Sequence, residues 1–104
     1  MKPTQSCIDE CTRCMIICQE CAITCMENDM PELARLCLDC AEICDLCATV
    51  CARKSELMEE IAELCREFCE ATVEQCTIHS DKNESCKVCA MVCKSCADTL
   101  AIAA

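Results

Sequence analysis

Side chains that avoid water recur along this chain at alternating steps of four and three residues, and the recurrence is broken three times. The first stretch carries Cys7, Cys11, Cys14, Cys18, Cys21 and Cys25, and the second carries Cys37, Cys40, Cys44, Cys47 and Cys51. The third carries Cys65, Cys69 and Cys76, with Thr72 in the intervening place. Its spacing runs back to Ala62 and Met58 and forward to His79. The fourth carries Cys86, Cys89, Cys93 and Cys96, and Leu100 continues it. Such steps trace one stripe of an α-helix, the a and d positions of a heptad. A second apolar row widens the stripe. It comprises Ile8, Met15, Ala22 and Met26, then Leu36, Ile43, Leu46 and Val50, then Leu57, Ile61, Leu64, Phe68 and Ala71, then Val88 and Val92. A helix of a globular bundle buries a face of that width.

The three breaks have helix-ending chemistry. Asn28-Asp29-Met30-Pro31 offers an Asn that tolerates a left-handed backbone, a capping Asp and a Pro suited to a first helical turn. Arg53-Lys54-Ser55-Glu56 places cations at a helix end, then a Ser cap and an acid in the next first turn. Asp81, with Glu84 three residues later, resembles a capping box. The spacing therefore predicts helices over roughly 4–27, 32–53, 56–79 and 84–102, in a single domain spanning 1–104. Short connections between four similar helices favour an all-α, antiparallel up-down-up-down four-helix bundle with a cysteine-lined core.

Composition sharpens this picture. Cysteine occurs 18 times and glycine not at all, which argues against a loop-rich disulfide scaffold dependent on tight turns. A formal charge of −10 makes a nucleic-acid partner unexpected and reads first as a solvated acidic surface. No apolar run of about 18 residues is present, so no membrane span is expected. Asp9, Glu10 and Arg13 interrupt the N-terminal region, so no targeting segment is expected. The expected compartment is the cytoplasm, where thiols stay reduced and dense cysteine points to metal or redox work.

Residues at i and i+4 have Cβ atoms about 5–6 Å apart, so two thiolates can close on one small ion. Cys7/Cys11, Cys14/Cys18, Cys21/Cys25, Cys40/Cys44, Cys47/Cys51, Cys65/Cys69 and Cys89/Cys93 are such pairs. Thr72 leaves Cys76 without a partner of this kind. Thiolates suit Cu(I), zinc and iron–sulfur clusters. Zinc generally takes four tetrahedral ligands, often built on turns. Iron–sulfur proteins use Cys-x2-Cys runs, which here follow automatically from the periodicity. Cu(I) accepts two or three sulfurs, which a continuous helix supplies pair after pair. One Cu(I) on two private thiolates leaves a buried negative charge, and sharing of thiolates between ions relieves that cost. A zinc or cadmium detoxification protein, or an iron–sulfur or thiol-redox protein, remains the alternative. No cysteine stands in an electropositive loop beside a base, so an enzyme is not expected.

Four helices lined with Cys-x3-Cys pairs resemble the copper storage proteins, and the resemblance covers nearly the whole chain. It implies a cytosolic, non-catalytic store that binds multiple Cu(I) ions in the bundle core and assembles as a homotetramer. It makes all eighteen cysteines candidate ligands and fits His79 to a non-cysteine ligand at the bundle mouth. Copper ions are the implied partner, with room for a copper chaperone or an efflux protein. In the expected topology one end gathers Cys25, Met26, Cys37, Cys76, His79 and Cys86. The other gathers Met58, Ala62 and Leu100 beside Leu57, as an apolar plug. Copper is therefore expected to enter near His79.

Overall fold

A computed structural model describes residues 1–104. Four helices follow one another: α1 (Gln5–Glu27), α2 (Pro31–Arg53), α3 (Met58–His79) and α4 (Glu84–Ala103). Each helix backbone lies against two neighbours, α1 against α2 and α4, and α3 against α2 and α4. The result is an antiparallel up-down-up-down bundle measuring 40 × 19 × 17 Å. At about 1.5 Å rise per residue, one helix runs most of its length. No helix is long and apolar enough to cross a membrane.

Capping departs from the expected pattern at each break. Asn28 stays right-handed and its side-chain amide donates to the Thr24 carbonyl at 2.7 Å. Asp29 takes the left-handed place instead, at φ 59°. Its role as a helix cap is therefore a correction: α2 starts from Met30 without a side-chain cap, and Pro31 fills the first turn. At the second break Lys54 is left-handed, at φ 54°, and the Ser55 N–H donates to the Val50 carbonyl at 3.0 Å. That closure uses Ser55 to end α2, so an extra turn intervenes and α3 starts at Met58 rather than 56. At the third break the cap is Asn83, not Asp81. Its Oδ1 accepts from the Cys86 N–H at 3.1 Å, so the expected capping box is absent. Thr4 caps α1 by accepting from the Cys7 N–H.

All eighteen cysteines are buried, none more than 2% exposed, and together they form most of the core. Ala22, Leu33, Ala34, Ala41, Ala48, Ala62, Val92, Ala97 and Leu100 complete it. The second apolar row divides. Val50, Val92 and Ala22 are buried, and Ile43, Ile61 and Phe68 pack half-buried against the core. Leu46, Leu57, Leu64 and Met26 are exposed. Leu57 is 65% exposed in the turn before α3, which removes it from the expected plug. That end is covered instead by Ala62, Leu100, Met58 and Met1. The Met1 ammonium pairs with Glu59, and the Lys2 N–H donates to the Ala103 carbonyl at 2.9 Å.

Candidate metal centre

The heptad stripe turns every cysteine toward the bundle axis, because no other face of four mutually packed helices is closed to water. The shortest sulfur contacts join different helices, although others between helices, Cys44–Cys69 at 3.9 Å and Cys14–Cys69 at 4.0 Å, are no shorter than those along one helix. Across the bundle, Cys18 and Cys93 approach to 3.5 Å, Cys14 and Cys93 to 3.6 Å, and Cys44 and Cys65 to 3.7 Å. Cys11–Cys96, Cys18–Cys89 and Cys40–Cys69 lie at 3.8 Å. Along single helices the contacts are Cys14–Cys18, Cys21–Cys25 and Cys89–Cys93, each at 3.9 Å. The i,i+4 pair is thus one element of a three-dimensional net, and most of the contacts that build the net were not visible as spacing.

Sulfurs lying within 4.8 Å of one another form five groups. Three have four members: Cys14, Cys44, Cys69 and Cys96; Cys14, Cys18, Cys40 and Cys93; and Cys21, Cys37, Cys76 and Cys89. Two have three: Cys11, Cys47 and Cys65; and Cys21, Cys25 and Cys86. Cys76, which has no i−4 partner on its own helix, is served by three other helices. Cys7 and Cys51 are buried at the far end, outside these groups.

Protons are distributed unevenly through this net. Burial pushes the Cys25 thiol up to about 11, with the charge of Cys21 adding to it. Burial likewise raises Cys51 to about 12, ahead of the charge of Cys47. In the interior a hydrogen bond splits a pair: the bond with Cys18 pulls Cys14 down to about 6, while the same bond pushes Cys18 up. Cys47 is drawn down to about 4, first by its hydrogen bond with Cys11 and then by that with Cys65. An acceptor thiolate in such a net is ready to bind a soft cation, and each ion bound displaces protons from its neighbours.

His79 stands apart. It is half-buried in the last turn of α3 and belongs to no sulfur group. It lines a cavity of about 620 Å³ with Asp29, Met30, Glu32, Leu33, Leu36 and Gln75 among its walls. Spacing did not mark the carboxylates Asp29 and Glu32 as site residues, because only the fold brings them to the same cavity as His79. Met26 is about half exposed beside that end.

The family model described as Csp, copper storage protein, matches residues 1–103. Among solved structures, a histidine-to-alanine mutant of Ccsp from Streptomyces lividans superimposes with a TM-score of 0.89 at 30% identity, covering 95% of this chain and 89% of that one. A cytosolic copper storage protein from the same organism, caught during copper loading with five coppers, gives 0.89 at 30% identity, covering 94% and 88%. Ccsp loaded with 10 copper equivalents gives 0.87 at 31% identity, covering 92% and 79%. No curated protein matches the chain.

Proposed function

This chain belongs to the copper storage protein family, and we propose that it is a cytosolic, non-catalytic store holding many copper ions as Cu(I) on its core thiolates. One observation carries the reading: eighteen free cysteines are buried, and most of their sulfurs lie in groups of three or four along the axis. Sulfur in that density suits a soft monovalent ion. Shared sulfurs such as Cys14 and Cys21, each in two groups, let thiolates bridge ions and bring the core close to neutrality. The ligands in this reading are all eighteen cysteines, with His79 receiving copper at the mouth. Copper delivery would fall to a chaperone, and its removal to an efflux protein. The exposed Leu46 and Leu64, beside the groove of Ile43, Leu46 and Phe68, support assembly of this chain with copies of itself, a tetramer in this reading.

Groups of four sulfurs are also the geometry of zinc or cadmium, which is the second reading. Titration of the reduced apoprotein with Cu(I) against a competing chelator separates the two. Separate pairs of the eighteen thiolates would hold nine ions. Bridging takes the capacity above nine, toward one per thiolate. Saturation at about four, the number of four-sulfur zinc sites that the thiolates could build, would overturn the copper reading.

A further inference from the structure

The thiol net is divided. Cys21 belongs to two groups and so unites Cys25, Cys37, Cys76, Cys86 and Cys89 with itself, six thiols at the His79 end. Cys14 unites the other two groups of four, and contacts Cys11–Cys96 and Cys44–Cys65 attach the group of Cys11, Cys47 and Cys65. No thiol is shared between the five groups on the two sides of this division, but Cys18, Cys89 and Cys93 lie within 3.9 Å of one another, so one three-sulfur set straddles it with Cys89 as its single outer member. Two sulfur contacts cross it, Cys89–Cys18 at 3.8 Å and Cys89–Cys93 at 3.9 Å, and both start from Cys89.

Thr72 marks the boundary. The group of Cys14, Cys18, Cys40 and Cys93 takes members from α1, α2 and α4 but none from α3. The place that α3 offers between Cys69 and Cys76 is Thr72, fully buried and the one polar side chain in the core. Its hydroxyl donates to the Phe68 carbonyl at 2.8 Å, leaving a hard oxygen that a soft ion does not favour. Cys69 and Cys76 are separated by about 10 Å of helix rise, too far for one ion to touch both.

We propose that the core is two stores in series, with Cys89 passing copper from the outer to the inner and Thr72 closing the route along α3. The inference rests on the copper-storage reading. At each transfer, copper forms a bond to the sulfur of Cys18 or Cys93 and breaks one to Cys89. The proton of the receiving thiol moves to the sulfur that is released, so charge balances and no electron is exchanged.

The test gives the full-length apoprotein limiting Cu(I), then alkylates free thiols at successive times and maps the protected cysteines by mass. Protection is expected first in the six outer thiols and later in the inner ones. Cys89→Ser should slow the second phase about tenfold, equivalent to about 1.4 kcal/mol on the barrier, while the five remaining outer thiols are still protected before the inner ones. Adding Thr72→Cys to that variant should restore the rate, because α3 then carries a soft ligand at the boundary. Thr72→Cys alone should merge the phases, which keeps the test decisive if Cys89→Ser fails to fold. Simultaneous protection of both sets in the unsubstituted chain, an unslowed second phase in Cys89→Ser, or no rescue by Thr72→Cys overturns the proposal. Full copper capacity with any of these leaves storage intact, whereas failure to bind copper at all sinks the storage reading itself.

Discussion

Cysteine is a poor choice for filling a helix seam if packing is the only aim, since leucine would bury more apolar surface at the same place. The side chain is explained by what sulfur can hold. His79 makes the complementary case. It touches no sulfur group, yet it shares a cavity with Asp29 and Glu32 at the end where the outer thiols lie. In the proposed reading its imidazole receives an ion rather than keeps it. His79→Ala should therefore slow the initial rate of Cu(I) uptake several-fold while leaving the final capacity nearly unchanged. Stopped-flow loading followed by copper analysis checks both halves, and a loss of capacity equal to one or more ions would make His79 a storage ligand instead. The cysteines were legible as candidate ligands because their periodicity has no competing explanation. The role of Thr72 was not: spacing shows a missing cysteine, but only the fold shows that α1, α2 and α4 close around the gap.

Helix ends show what a chain without glycine must do. Two positions adopt the left-handed backbone that glycine usually supplies, and they are Asp29 and Lys54. Aspartate tolerates that region through its short polar side chain, whereas lysine gains nothing there. Lys54→Gly should raise the stability of the apoprotein by about 0.5–1 kcal/mol, the relief of a left-handed side chain less the added freedom of the unfolded glycine. Asn83→Ala should lower it by about 1 kcal/mol through loss of the cap on Cys86. Urea unfolding of the metal-free variants measures both, and a destabilised Lys54→Gly would contradict the account. The breaks themselves were legible from their polar clusters. Which residue in each cluster takes the cap was not, since neighbouring Asn, Asp and Ser side chains compete for the same N–H groups and tertiary closure decides between them.

The assembled bundle buries its thiols together with Leu33, Val92, Leu100 and a row of alanines, so folding does not have to wait for metal. The apoprotein should be strongly helical at neutral pH, and circular dichroism after reduction and chelation tests this; a coil spectrum would refute it. Its stability should then fall with rising pH. Thiols raised by burial, such as Cys25 at about 11 against an ordinary 9.0, keep their protons in the folded state after the unfolded chain has lost them. Their contribution is complete below about pH 9 and disappears as the pH passes the folded value. Cys14, Cys21, Cys40, Cys47 and Cys96, which are held low, act in the opposite sense, but raised thiols predominate in the core. Melting temperatures of the apoprotein from pH 7 to 11 should decline, and a constant or rising value would show that the thiols ionise freely. The four-helix architecture was the most legible level of all, because one stripe repeated four times leaves a single economical way to hide it. The enclosure of every sulfur has a temporal consequence. An ion that no outside molecule can reach departs when the helices part, so its dwell time follows the breathing of the bundle rather than the strength of any single bond to sulfur. Two such proteins with equal affinity but different rigidity would keep very different calendars, one yielding copper within a cell's working minutes and the other holding it across generations.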